Sequence, residues 1–330
     1  MTNKYYKYRS ISLADDGEIS EETLRYVLYP IQTSHFYLPT RKELNDPSEG
    51  LLDNNIMSQV NSFLTGVTGF GERQDLTKQI ILNAKAIPTS INSTGIFSLT
   101  KNPTDELMWA HYANGHCGIA IEYDLEGLTR FAPNTHLHHF PIIYAQTPPS
   151  IGINDIEASK LMRNMLGYKS IGWTYESEYR VLVDNVNGTF PHDYQAIKSI
   201  TFGIKLKSSI RKKIIALTKH RVPTFYEIKT DGRSYGFQQV LMESNVLPKP
   251  TSCIDEINWE ELIGHLGIDI QPIIKSSIIG RCRKDIHFKE FVSVDMSTNK
   301  PNHVFFQYKV HHEHKILSGQ NLVKEYISLS

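Results

Sequence analysis

The sequence predicts an α+β protein: mixed and antiparallel sheets of short strands, with helices flanking them. Three observations carry that expectation. Strand-type runs are short and numerous. Irregular connections rich in Gly, Pro, Asn and Asp separate them, with no regular strand–helix alternation. The helical patterns are brief. The chain has 330 residues, 40% apolar and 21% charged. That is a globular composition with length for a sizeable core.

KYYKYRSIS (4–12) alternates aromatic and polar groups, as a half-buried strand does. Residues 20–29 read as a helix capped by Ser20, with Glu21 and Glu22 where the helix dipole favours acids. HFYLPT (35–40) is a short strand, and ELNDPSEG (43–50) is dense in turn formers. Residues 51–90 read as mostly helical, interrupted by the Gly-rich 65–72. A buried strand at 93–100 leads to a turn and short helix at 102–113, then a strand at 117–124. Residues 155–170 read as a helix ending near Gly167, and the second half of 175–184 as a strand. Strands at 199–206 and 225–230 bracket a helix at 208–220. Pro248, Pro250, Thr251 and Ser252 mark a linker, dividing the chain into 1–250 and 251–330. The second part holds a helix near 256–265 and strands such as 303–310.

Composition excludes several classes. Lys plus Arg and Asp plus Glu are each 35, so the net charge is zero. Binding of nucleic acid through bulk positive charge is excluded, and a local patch is not. Cys117, Cys253 and Cys282 form no Cys-x-x-Cys pair, so no disulfide framework is expected. The opening MTNKYYKYRS lacks a signal-peptide core, and no apolar run approaches the roughly 20 residues of a membrane span. A soluble cytoplasmic protein is expected. There is no P-loop, no Gly-x-Gly-x-x-Gly after a strand and no Gly-x-Ser-x-Gly elbow. Tyr, at 17, outnumbers Phe, at 14. Its polar tip suits half-wet clefts as well as cores.

The candidate chemistry sits in a few segments. Glu176 and Glu178 lie two apart at the entry to a strand, which places both on one face of an extended chain. Repulsion there tends to raise one pKa, as acid/base work requires. The plainer reading is a pair of solvated edge-strand charges, matched by Arg180 or Lys169. Ser98 and Thr100 share a face of an apolar strand, either satisfying backbone groups or shaping a ligand floor. Trp109, His111 and Tyr112 crowd one short helix, as core residues or as an aromatic clamp. Tyr6, Tyr8 and Arg9 open the chain, Arg9 with a fork suited to phosphate. Asn45-Asp46-Pro47 reads as an Asx turn. His136, His138 and His139, and His311, His312 and His314, lack finger spacing and read as polar loops. No metal site is assigned. From Tyr194 to Tyr226 there is no acid. The stretch carries Lys198, Lys205, Lys207, Arg211, Lys212, Lys213, Lys219 and Arg221, a stripe that is either a solvated face or a phosphate contact.

Read together, YKYRS, LNDPSEG, IFSLT, LMWAHYANGHCGIAIEYD, KSIGWTYESEYRVL and ITFG resemble a bacterial family known as domain of unknown function 2971, over about residues 4–235. The order of parts also resembles an ADP-ribosyltransferase core. There an Arg, His or Tyr on a first strand, a Ser/Thr strand and a later Glu or Glu-x-Glu share the site. This chain has no Ser-Thr-Ser triplet. The resemblance implies an ADP-ribosyltransferase-like catalytic domain (1–250) with NAD as substrate, and an extension (251–330) of no implied role. Glu178 and Glu176 would be catalytic, and Tyr8, Arg9, Ser98, Thr100, His111 and Tyr112 would bind NAD. The passage FSLT…LMWAHY resembles toxins that modify DNA bases. This implies a toxin or phage-defence effector whose acceptor is nucleic acid, met by the 198–221 stripe, or a protein. Two rival readings stand beside it: a nuclease using Glu176, Glu178 and His111, and a non-catalytic module recognising a nucleotide or a phage protein.

Overall fold

Alternation along the first strand sets the two faces of the main sheet. The computed structural model describes residues 4–50, 92–129, 137–149, 158–184, 188–193, 195–247, 257–282, 288–310 and 322–329. Its strands are β1 (Lys4–Arg9), β2 (His35–Leu38), β3 (Gly95–Thr100), β4 (Ile119–Asp124), β5 (Leu137–Pro141), β6 (Ile143–Ala145), β7 (Tyr168–Ser170), β8 (Glu178–Val183), β9 (Gly188–Pro191), β10 (Ile197–Phe202), β11 (Thr224–Thr230), β12 (Phe237–Ser244), β13 (Phe288–Met296), β14 (His303–Val310) and β15 (Leu322–Ser328). Eight of them form one sheet in the order β12-β11-β10-β4-β1-β3-β8-β5. It is mixed: β10 and β11 run parallel, and the other neighbours antiparallel. The expected α+β class is what the chain adopts.

One face of this sheet is apolar except where β1 places Lys7 and Arg9 on it. Tyr5, Phe97, Leu99, Ile121, Tyr123, Val181 and Val183 pack there with Leu28 and Ile31 of the helical run 21–33 and with Ile210 and Ile214 of helix Ser208–Thr218. Each such side chain contributes about 1.5–3 kcal/mol of burial. The other face carries two separate apolar clusters. Ile96 and Leu182 pack on Phe140, Met162, Met165 and Leu166. Tyr8 and Ala120 pack on Met108, Trp109 and Ile228. Between the clusters the same face turns polar, where Ser98 opposes Arg180 and Thr100 opposes Glu178.

Local chemistry fixes the elements beside this polar gap. Ser20 caps its helix as expected, accepting from the Thr23 amide at 3.2 Å. The helix runs past the expected end at Tyr29 to Thr33, through a π-helical turn at Leu24–Leu28 that accommodates Pro30. Asp105 caps helix Glu106–Tyr112 by accepting from the Met108 amide at 2.9 Å. Asn114, Gly115 and His116 then take left-handed φ values of 48°, 59° and 73° and turn the chain back into β4. A Cβ on Gly118 would lie 2.2 Å from the Arg9 carbonyl, so only glycine lets β4 start flush against β1.

Several expectations need correction. Residues 137–141 are not loop but the edge strand β5, whose polar positions His138 and His139 suit an edge. The helix at 158–166 stops before Gly167, and 168–170 is strand. The strand expected at 199–206 is 197–202, followed by a turn. β9, β12, β13, β15 and helix Gln271–Cys282 were not anticipated. The antiparallel strands β13–β14–β15 and the helices Trp259–Ile263 and Gln271–Cys282 bury a cluster of their own, including Ile263, Ile274, Val294 and Phe306. The expected helical stretch 51–90 with its Gly-rich 65–72, the linker 248–252, Cys253, His136, His311, His312 and His314 lie outside the described residues. Among the described residues no helix is long and apolar enough to cross a membrane.

Candidate functional site

The sheet splits where the sequence-predicted residues meet. β1 pairs with β4 at six positions, from Lys4↔Asp124 to Arg9↔Ile119. With β3 it registers at one, Tyr6↔Thr100. Beyond that point the Lys7 ammonium donates to the Ser98 carbonyl at 2.9 Å. The strands part and leave a cavity of about 460 Å3. That is within the common range for a small-ligand site. Because the opening is a split, side chains from both faces of the sheet reach it.

All eight candidate residues line this cavity: Tyr8, Arg9, Ser98, Thr100, His111, Tyr112, Glu176 and Glu178. They do so on different terms. The Tyr8 ring is sealed edge-on against Trp109 at 5.0 Å, with its hydroxyl on the Asn102 carbonyl at 3.0 Å, so it is wall and not a free stacking surface. The Thr100 hydroxyl accepts from the Asn102 amide at 3.2 Å and shapes the turn after β3. His111 is exposed at the rim with its ring 5.8 Å from Tyr175; it is not the core histidine its plain reading supposed. Arg9 is half-buried, and among the described residues no carboxylate pairs with it.

The two glutamates converge by a route other than strand alternation. Glu176 ends the 3-10 helix Ile171–Glu176, Ser177 adopts a left-handed φ of 43°, and Glu178 opens β8. That turn aims both carboxylates at Lys169, at 2.5 Å from Glu176 and 3.2 Å from Glu178. Arg180 bonds Glu178 through Nε at 2.7 Å and Nη2 at 3.2 Å. Its other edge holds Glu49, and Nη1 also reaches the Leu166 carbonyl at 2.7 Å. Ser98 hydrogen-bonds the Glu178 side chain, and Tyr144 accepts from the Glu178 amide at 2.8 Å. The Tyr112 hydroxyl donates a short bond to Glu176. Glu176 and Glu178 are each 4% exposed. β8 lies inside the sheet, between β3 and β5. The pairing with Lys169 and Arg180 therefore exists, but not on a solvated edge.

These contacts divide the carboxylates' electrostatics. Burial pushes the Glu178 carboxyl up, but Arg180 and Lys169 outweigh it and hold it well below the usual carboxylate range. Burial dominates at Glu176, whose pKa is raised although Lys169 and Tyr112 oppose it. Burial, with Arg9 beside it, lowers the Lys7 ammonium to about 7. The site thus pairs a carboxylate held ionised at neutral pH with one whose pKa is raised, beside Lys7 and Arg9.

Some site residues were not anticipated. Lys7 is two positions before Arg9 on an alternating strand, and that period-two spacing was the signal for it. Glu49 belongs to the LNDPSEG string, but nothing in that string pointed to Arg180, which it meets across 131 positions. Tyr26, 61% exposed, stands at the cavity rim on the π-helical turn. Asp46 forms the expected Asx turn, accepting from the Ser48 amide at 2.9 Å. In the basic stripe, Arg211 binds Glu227 at 2.5 Å, Lys213 pairs with Glu18 and Arg221 is buried. Lys198, Lys205, Lys207, Lys212 and Lys219 remain exposed. His138 bonds Asp184 at 3.1 Å and His139 bonds the Tyr179 hydroxyl at 2.7 Å.

His111, Tyr112, Glu178 and Arg180 all fall in one recognisable stretch. Residues 108–181 match the model of the family described as Protein of unknown function (DUF2971). The matched segment includes Lys169, Glu176 and Glu178. β1, Ser98 and Glu49, which complete the cavity and the ion network, lie outside it. The chain matches no curated protein and no solved structure.

Proposed function

We propose that this chain has an ADP-ribosyltransferase-like core that cleaves NAD and transfers its ADP-ribosyl group, acting as a toxin or phage-defence effector. The observation that supports this reading is the meeting of Arg9, Ser98 and Glu178 on one cavity. Their positions are far apart in sequence, and the resemblance to that enzyme core requires them to share a site.

The chemistry suits the groups present. Breaking the bond between ribose C1′ and the nicotinamide nitrogen sends the bonding pair to nicotinamide and leaves an oxocarbenium-like ribose. Glu178 is ionised and fixed by Arg180, Lys169 and Ser98. A carboxylate held in advance in this way stabilises the developing cation. Glu176, with its raised pKa, would take the proton that the acceptor loses as it attacks C1′. Arg9 would meet the pyrophosphate. Tyr112, whose hydroxyl is tied to Glu176, would flank the nicotinamide. Nucleic acid, steered by exposed Lys198, Lys205, Lys207, Lys212 and Lys219, is the acceptor favoured here.

The experiment is to incubate the chain with NAD and candidate DNA, RNA and protein acceptors, following nicotinamide release and acceptor mass. Glu178→Gln and Arg9→Gln should abolish both signals while the protein stays folded. Absence of any NAD consumption by the native chain would end this reading.

A further inference from the structure

We propose that the outward face of the β13–β14–β15 sheet is a stacking platform for single-stranded nucleic acid. Along β14, Val304, Phe306 and Tyr308 are buried inward, so alternation turns Phe305 and Gln307 outward. The register places Phe305 opposite Tyr326 and Gln307 opposite Lys324. Two aromatic side chains therefore stand side by side on adjacent strands, directed away from the cluster that holds the sheet together. Tyr326 is 41% exposed, and Phe305 is half-buried.

Each ring has a lysine over it. The Lys300 ammonium lies 4.4 Å from the Tyr326 ring centroid, and that of Lys324 lies 5.7 Å from the Phe305 centroid. Both lysines are exposed. Two of the acids nearby have partners of their own. Glu325 is buried on the inward face, accepting from the Tyr308 hydroxyl at 3.0 Å. Asp295, which opposes Phe305 on β13, accepts from His265 at 3.0 Å. Among the described outward positions of β14 and β15 none is acidic.

This combination selects its partner by chemistry. A base offers a π-face to Phe305 or Tyr326, and the flanking phosphates offer anions to the lysines. Lys300 and Lys324 sit on flexible stems, so they can leave the ring faces for phosphate as bases take their place. A duplex keeps its bases stacked on one another and cannot use the rings. The platform is separate from the cavity and independent of NAD, so it stands or falls apart from the proposed transferase activity.

The test uses the full chain without NAD and follows fluorescence anisotropy of labelled oligothymidylate, oligouridylate and a duplex of equal length. Either single strand should bind more tightly than the duplex. Phe305→Leu and Tyr326→Leu keep apolar bulk, and each should weaken binding roughly tenfold. The pair Lys300→Gln and Lys324→Gln should reduce the log–log salt slope by about 1.4. Lys42→Gln with Lys229→Gln, exposed lysines that line neither the platform nor the cavity, should retain the native Kd, and circular dichroism should show all variants folded. The proposal is overturned if the native chain binds neither single strand, or if the duplex binds equally well. It is also overturned if both ring variants keep the native Kd.

Discussion

Arg180 and Glu49, 131 positions apart in the chain, meet in a two-pronged ion pair at 2.5 and 2.7 Å. The other edge of the same guanidinium holds Glu178. Arg180 is fully buried, so it fixes the carboxylate at the cavity and anchors the 46–50 turn to the large sheet.

Replacing Arg180 with Met should therefore destabilise the protein by about 3–5 kcal/mol, because two buried carboxylates lose their shared cation. Arg180→Lys should not restore the loss, since an ammonium cannot serve both carboxylates in fork geometry. Urea unfolding followed by circular dichroism reads both. Native-like midpoints for the two variants would show that the network contributes little.

The ion network also sets an acid limit. The folded pKa of Glu178 lies below the unfolded value near 4.5. Its contribution to stability is thus fully present above that value and is lost as pH falls toward the folded pKa. Glu176 works the other way. Its raised pKa makes the folded state hold the extra proton above about 4.5, so its contribution falls as pH rises through that window. In thermal melts across acid pH, Glu178→Gln should flatten the loss of Tm below pH 4.5, and Glu176→Gln should flatten a decline above it. Unchanged slopes in both would contradict these assignments.

Much of this site was legible in the sequence, and the reason is local. Glu176, Glu178, Arg180 and Lys169 fall within twelve positions, 169–180, so their association was visible as a charge pattern. Ser98 and Thr100 stood out as polar positions on an apolar strand. The mode of convergence was not legible. It depends on the left-handed Ser177, a conformation that a serine in Tyr-Glu-Ser-Glu does not advertise. Glu49 was hidden because a long-range pair leaves no periodic trace. Strand β5 was hidden because an edge strand with two consecutive histidines has the composition of a loop.

Tyr112 tunes Glu176 directly. Its hydroxyl donates to that carboxylate and favours the ionised form. In Tyr112→Phe the Glu176 pKa should rise further. The acid limb of a kcat/KM–pH profile for NAD turnover should then move to higher pH, with the fold intact. A profile that coincides with that of the native chain would remove Glu176 from the proton-transfer role.

Lys7 offers a direct probe of the cavity's electrostatics. After reductive methylation with carbon-13 formaldehyde, its dimethylamine resonance should titrate near 7, whereas solvent-exposed lysines titrate near 10.5. Arg9→Gln should raise the Lys7 midpoint, because Arg9 is one of the charges that lower it. A Lys7 midpoint matching the surface lysines would mean that the split between β1 and β3 is open to bulk water.

The central claim is that Arg9, Ser98 and Glu178 form one NAD-cleaving site. Nicotinamide release, quantified by mass spectrometry for the native chain, Arg9→Gln, Ser98→Ala and Glu178→Gln, tests it most directly. The expected result is release by the native chain, loss in Arg9→Gln and Glu178→Gln, and a partial reduction in Ser98→Ala, all four proteins sharing one circular dichroism spectrum. Nicotinamide release from folded Glu178→Gln at the native rate would contradict it.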